Sequence, residues 1–260
     1  MKIAIIGGGN LGTAIAAGLL KSNFCPAENI TVTKRNIATL TNLQEKGINI
    51  HSDNVKALTE SDVIILAIKP FQIKEILEEI KPALTSNHLL ISVVTGINLD
   101  EIKSIVGNEI AIFRAMPNTA IAIQESITCL SATNTNAAQI KFVENLFNKL
   151  GRTVNIDEKL MNAATVLGAC GTAFAMRYIR ANIQAGIEIG FDAATASLIA
   201  SQTVKGAAEL LLTLKTHPEQ EIDKVTTPKG CTIAGLNEME HQGFSSSIIK
   251  GIATSFNKIG

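Results

Sequence analysis

The feature that most constrains this chain is GGGNLG at residues 7–12, which follows the apolar run KIAII at residues 2–6 and opens a helical pattern. Gly7, Gly9 and Gly12 fill the pattern G-x-G-x-x-G. The first glycine permits a tight turn out of a strand. The second lets backbone approach a pyrophosphate, and the third lets the helix pack closely on the strand. The unpaired N–H groups and dipole at the helix start attract phosphate. Gly7, Gly9, Asn10, Leu11 and Gly12 are therefore the candidate pyrophosphate cradle. The other reading is a glycine-rich turn with no ligand. The strand–turn–helix context favours dinucleotide binding, since the motif alone is weak.

The rest of the first half agrees with a sheet behind that turn. Short β-branched runs recur at residues 2–6, 30–33, 63–68, 89–94, 110–114 and 126–130, and helical patterns fall at 11–22, 38–46, 73–80, 100–106 and 137–150. Near-continuous apolar strands alternating with helices indicate a doubly wound, mostly parallel α/β sheet of the Rossmann type, expected over residues 1–155. Past Asp157 no strand pattern follows, so residues 156–260 are expected to be all-helical. Residues 158–190 read as one long helix or a broken pair. Asp192 caps a helix to about Leu214, His217-Pro218 marks a turn, and two shorter helices follow Thr232 and Ser245.

The end of the second strand bears on the cofactor. An NAD-binding domain usually places Asp or Glu about 20 residues past the glycines, on the ribose hydroxyls. Here ITVT runs into Lys34-Arg35-Asn36 with no carboxylate. Two cations followed by a helix-capping Asn suit a 2′-phosphate, so NADPH is the expected cofactor, with NADH as the alternative. A solvated basic pair is the bland reading.

Composition excludes other classes. With 23 basic and 23 acidic residues the formal net charge is zero, which gives no footprint for nucleic acid or an acidic membrane. Aromatic residues are only 4% and Trp is absent, so base-stacking platforms are not expected. Cys25, Cys129, Cys170 and Cys231 form no CxxC pair, and the histidines have no metal-ligand spacing, so neither a disulfide framework nor a metal site is expected. Cys25, Cys129 and Cys170 read as small buried hydrophobes. The N-terminal apolar run is too short for a signal peptide or membrane span, and a cytoplasmic protein is the expectation.

Several further stretches carry a resemblance. ILAIKP at 65–70, FRAMPNT at 113–119, QTVKGAAELLL at 202–212, HPE at 217–219, and DKVTTPKGCTIAGL at 223–236 followed by QGF at 242–244 occur in one order. In that order the chain resembles pyrroline-5-carboxylate reductase over essentially its whole length. The resemblance implies an enzyme that reduces 1-pyrroline-5-carboxylate, a cyclic imine, to L-proline. It also implies residue roles. Ala67, Ile68, Lys69 and Pro70 would line the nucleotide, and Val93, Val94 and Thr95 would pass beneath its nicotinamide half. Asn54 would lie near the adenosine ribose and its phosphate, and Glu158 would face the nicotinamide side. Gly230, Cys231 and Thr232 would open a substrate-binding helix, with Thr232 the catalytic residue at the ring nitrogen. The small residues between 163 and 212 would build a homodimer or a larger homo-oligomer.

The chain departs from the family at two places. GACGTAF at 168–174 stands where GSGPAY is common, and PKGCT at 228–232 stands for PGGTT. Other readings remain open: a reductase of another imine, a β-hydroxyacid-type enzyme, or a non-catalytic nucleotide sensor. The second would be expected to carry a Lys on the long helix after a glycine pair, and TAFAMRYI after Gly171 has none.

Overall fold

Strands that are apolar on both faces need cover on both faces, and the computed structural model, which describes residues 1–259, supplies it. In chain order the elements are β1 (Ile3–Ile6), α1 (Asn10–Lys21), β2 (Ile30–Thr33), α2 (Thr41–Gln44), β3 (Asn49–His51), α3 (Asn54–Thr59) and β4 (Val63–Leu66). There follow α4 (Ile73–Ile80), β5 (Leu89–Ser92), α5 (Leu99–Val106), β6 (Ala111–Met116), β7 (Ser126–Thr133), α6 (Ala137–Asn148) and β8 (Gly151–Asn155). They form one sheet of eight strands in the order β3-β2-β1-β4-β5-β6-β7-β8. Every neighbouring pair is parallel except β6 with β7.

Alternate residues of the strands feed two cores. Ile3 and Ile5 pack with Ile15, Leu19, Phe113 and Phe147 on one face. Ala4 and Ile6 pack with Ile73, Leu77, Ile102 and Ile112 on the other. The chain moves outward from β1 to β2 and β3, then returns to lay β4 on the other side of β1. That reversal opens a crevice at the carboxyl ends of β1 and β4, the place where doubly wound sheets bind ligands.

The structure also corrects several expectations. The strands expected at 63–68 and 89–94 stop at Leu66 and Ser92, so the residues after them are loop backbone facing the crevice. The helix expected at 38–46 is a 3-10 turn at Ile37–Leu40 followed by the four residues of α2. β3, α3 and β8 had no forecast. β3 has three residues, none of them buried, and β8 is an edge strand with no buried residue, so neither carries a full apolar pattern.

The chain divides into two compact units, Met1–Cys170 and Gly171–Lys258. Residues 158–190, read as one helix or two, contain α7 (Met161–Ala164), a π-helical stretch Thr165–Cys170 and α8 (Gly171–Glu188). Among the described residues no strand follows β8. The second unit continues with α9 (Ala193–Leu214), α10 (Pro218–Lys224), α11 (Cys231–His241) and α12 (Phe244–Ile259). Asp192 caps α9 through the N–H groups of Ala194 and Thr195, each at 3.0 Å. The turn at His217-Pro218 is also the start of α10, with Pro218 in the first helical position where its missing N–H costs nothing.

No described helix is long and apolar enough to cross a membrane. No group of three metal-ligating side chains occurs among the described residues. All four cysteines are unpaired, but only Cys129 is buried. Cys25 and Cys170 are half-buried, which corrects the reading of all three as core, and Cys231 is exposed.

Candidate active site

Each glycine of the motif has its own physical reason. Gly7 sits at φ +110°, and a Cβ there would stand 2.4 Å from the Ala67 carbonyl oxygen. A Cβ on Gly12 would lie 2.0 Å from the Gly7 carbonyl oxygen, so the first turn of α1 packs directly on the loop. Gly9 is different, because a Cβ there would meet nothing within 4 Å. Its open side is where a ligand can approach backbone. Gly9 is also the N-cap of α1 and offers no side-chain cap, which leaves the first N–H groups of the helix to a ligand.

A cleft of ≈ 730 Å³ lies over this turn. Its lining includes Gly7, Gly9, Asn10 and Leu11 from the glycine turn, Lys34 and Arg35 after β2, and Asn54 at the start of α3. It also includes Ala67, Ile68, Lys69 and Pro70 after β4, and Val93, Val94 and Thr95 after β5. These were separate readings of the sequence, and the fold brings them to one crevice. Gly12 does not line it, because its work is packing.

Hydrogen bonds hold the rim. The N–H groups of Gly7 and Gly8 donate to the Thr33 carbonyl at 3.2 and 2.7 Å, which ties the turn to the end of β2. The Thr33 hydroxyl donates to Asn54 Oδ1 at 2.6 Å, and Asn54 Nδ2 donates to Glu79 Oε1 at 3.2 Å. Asn36 accepts from the Ala38 N–H at 3.2 Å, the capping role its position suggested. The guanidinium of Arg35 lies 3.9 Å from the Glu75 carboxylate, with both side chains largely exposed, so that contact is weak and Arg35 is free to take a stronger anion.

Glu158 stands apart from the other candidates. It is not in the glycine cleft but lines a second cavity of ≈ 860 Å³ bordered by Arg114, Asn98 and Asn162. Its Oε1 accepts from Arg114 Nη1 at 2.6 Å and from the Leu99 N–H at 3.1 Å. That oxygen is committed to protein donors.

In the second unit Gly230, Cys231 and Thr232 begin α11. Gly230 is the N-cap and supplies no side-chain cap, so the first N–H groups of α11 are left for a ligand. A Cβ on Gly230 would fall 2.5 Å from the Thr227 hydroxyl, so the position needs glycine. Lys229 has φ +60°, a left-handed conformation that favours glycine, which is the residue common in the family at this position.

Sequence reasoning passed over Gly8, Thr33 and Gln72, which also line the cleft. Thr33 was visible as the last residue of β2, and Gln72 as a neighbour of Pro70. It also passed over Arg114, although a charge within IFRAM, a strand otherwise apolar, was a legible signal.

Comparison with known proteins agrees with this arrangement. Residues 158–260 match the family model described as pyrroline-5-carboxylate reductase dimerisation. Residues 2–96 match the one described as NADP oxidoreductase, coenzyme F420-dependent. Pyrroline-5-carboxylate reductase 2 of Dictyostelium discoideum is 44% identical over 99% of this chain and 91% of its own length. Pyrroline-5-carboxylate reductase 1 of the same organism is 46% identical over 98% of this chain, which spans only 49% of that longer protein. The crystal structure of Plasmodium falciparum pyrroline carboxylate reductase with NADP bound superposes with a TM-score of 0.92 at 29% identity, covering 100% of this chain and 97% of the other. A glycine-turn cleft in a doubly wound sheet, followed by a helical dimerisation region and matched over full length by such relatives, means that the chain belongs to the pyrroline-5-carboxylate reductase family, enzymes that convert 1-pyrroline-5-carboxylate to proline.

Proposed function

We propose that NADPH is the hydride donor with which this reductase converts 1-pyrroline-5-carboxylate to L-proline, and that NADH serves less well. The observation that carries the cofactor choice is the end of β2. Lys34 and Arg35 line the cleft there, and no carboxylate follows β2 to take the ribose hydroxyls. The bound NADP of the Plasmodium relative supports the same choice. Gly7, Gly9, Asn10 and Leu11 hold the pyrophosphate, with Gly12 packing α1 against their turn, Asn54 and the loop Ala67–Ile68–Lys69–Pro70 border the nucleotide, and Val93, Val94 and Thr95 underlie the nicotinamide half.

The chemistry asks little of the protein in acid–base terms. A bound nicotinamide would supply hydride to the carbon of the C=N bond, and the nitrogen ends protonated. A cyclic imine takes its proton readily from water before attack. Orientation then dominates, and it is worth roughly 7–11 kcal/mol of barrier in well-aligned reactions. The N–H groups at the start of α11, at Cys231 and Thr232, take the substrate carboxylate, with Gly230 allowing close approach. The Thr232 hydroxyl aligns the ring nitrogen as the catalytic residue. In this reading residues 1–155 bind the dinucleotide, and residues 156–260 bind substrate and form a homodimer, which a larger ring can incorporate. The four unpaired cysteines fit work in the cytoplasm.

The test is kcat/KM of Thr232→Ala and Thr232→Ser across pH. An aligning hydrogen bond contributes about 0.5–1.5 kcal/mol, roughly tenfold, whereas a proton donor contributes about 10²–10⁴-fold. Thr232→Ala is expected to lose about tenfold near pH 6 and more as pH rises and protonated imine becomes scarce, and Thr232→Ser should recover most of it. If Thr232→Ala melts lower but turns over normally at every pH, the residue is only part of the helix start.

A further inference from the structure

β6 carries a charge where its neighbours carry none. Arg114 lies between Phe113 and Ala115 in a strand whose six residues are all buried, and it is itself only 3% exposed. An arginine in such a place needs a partner, and it has Glu158, with Nη1 and Oε1 2.6 Å apart. A pair with one member buried and the other half-buried is a poor stabiliser, because desolvation offsets much of the attraction. This pair also leaves Arg114 Nε and Glu158 Oε2 buried without hydrogen-bond partners. Its presence calls for a geometric reason.

The reason lies at Leu99. Glu158 Oε1 also accepts the Leu99 N–H at 3.1 Å, a bond spanning 59 residues of sequence. Leu99 is the first residue of α5, so this is one of the helix-start donors that no intrahelical acceptor can reach. The Asn98 and Glu101 N–H groups are closed locally, since the two residues cap each other through a reciprocal pair at 2.9 and 2.8 Å. Only Leu99 is tied to a distant part of the fold.

What that tie fixes is the segment 93–98 between β5 and α5. It leaves β5 next to Arg114, since Ser92 is the sheet partner of Arg114. Its first end is held by the Val93 N–H on the Leu66 carbonyl at 3.0 Å. Its far end is held at Leu99. Between them Gly96 turns at φ +75°, and Val93, Val94 and Thr95 line the nucleotide cleft. We propose that Glu158, oriented by Arg114, is a positioning residue that fixes the 93–98 loop through the Leu99 N–H and so sets the floor beneath the nicotinamide. The inference rests on the reading that this loop underlies the nicotinamide half. In it Glu158 acts through the loop and does not touch the cofactor.

Two double variants isolate the bond. Arg114→Met with Glu158→Gln removes both charges of the pair but keeps an acceptor for the Leu99 N–H. Arg114→Met with Glu158→Leu removes the charges and the acceptor. Each is purified as the full chain, and kcat is measured at saturating NADPH and 1-pyrroline-5-carboxylate. Binding of adenosine 2′,5′-bisphosphate, which lacks the nicotinamide half, is measured beside it. The Gln variant is expected to keep kcat within about threefold of wild type. The Leu variant should lose at least about tenfold, since small misplacements of reacting groups cost up to about 10²-fold. Both should bind the bisphosphate within about twofold of wild type. Leu99→Pro gives an independent route if the Leu variant does not fold. It deletes the N–H itself at a helix position that tolerates proline, and it should lower kcat in the same way. Equal kcat in the two double variants overturns the proposal, as does wild-type kcat in Leu99→Pro. A parallel fall in bisphosphate affinity also overturns it, because the pair would then support the whole cleft. Failure of the wild-type chain to bind the bisphosphate refutes the cleft reading itself, and is seen before any variant is compared.

Discussion

The sheet and the helical unit dispose of their apolar residues in opposite ways. In β1, β4, β5 and β6 every residue is buried, and the sheet completes two cores from its own chain. In α8, α11 and α12 no residue is buried, and α9 buries only Ala196 and Ala200. Yet these helices are apolar. Leu198 is 70% exposed and Ile249 66%, and Met176, Leu210, Leu212 and Leu214 are exposed as well. Large exposed apolar surface on a folded chain marks an interface. The first region folds on information it contains, and the second is written for an assembly, as its match to a dimerisation model agrees.

The largest expected effect comes from spoiling that second surface. Leu198→Glu with Leu210→Glu forfeits roughly 1.5–3 kcal/mol of burial per leucine, and two-fold symmetry counts each position twice. The wild-type chain is expected to scatter light as a dimer or larger at micromolar concentration, and the variant as a monomer with little activity. The variant should still bind adenosine 2′,5′-bisphosphate, since the glycine cleft lies wholly in the first unit. An active monomeric wild type would break the comparison.

The converse change leaves assembly alone. Charge-assisted hydrogen bonds to a 2′-phosphate are worth about 1.5–3 kcal/mol each. Lys34→Ala with Arg35→Ala should therefore weaken NADPH use by on the order of tenfold or more, given about 1.4 kcal/mol per decade. NADH use and light scattering should hardly change. Equal losses with both cofactors would show that the pair does not read the phosphate.

The smallest effect sharpens the local account of α11. Lys229 holds φ +60°, where an L-residue pays about 1–2 kcal/mol that glycine avoids. Against glycine's greater freedom in the unfolded chain, Lys229→Gly is expected to raise stability by about 1 kcal/mol or less in urea unfolding. A destabilised variant would mean that the lysine side chain makes a contact worth more than the strain.

The same contrast governs how much the sequence could disclose. Strong local patterns were legible: β1 with its three spaced glycines, the buried strands β4 and β5, and the Asp192 cap of α9. The strand ends were not, because Ala67, Ile68, Val93 and Val94 are as apolar as the strands they follow and leave the ladder to line a cleft. β3 and β8 lie at the sheet edges with little buried surface and so little pattern. Glu158 shows the limit for sites. Its proximity to the nicotinamide was a family inference, whereas its bonds to Arg114 and Leu99 join residues 44 and 59 positions away, which no local pattern encodes.

In the proposed function the chain oxidises NADPH only by passing hydride to a cyclic imine. This is tested most directly by adding 1-pyrroline-5-carboxylate to protein and NADPH, following loss of the reduced nicotinamide absorbance, and assaying proline in the same sample. No NADPH loss is expected before addition, then loss matched one-to-one by proline formed. Binding of NADPH with no turnover, or turnover with another imine or a β-hydroxyacid substrate but none with pyrroline-5-carboxylate, would contradict it.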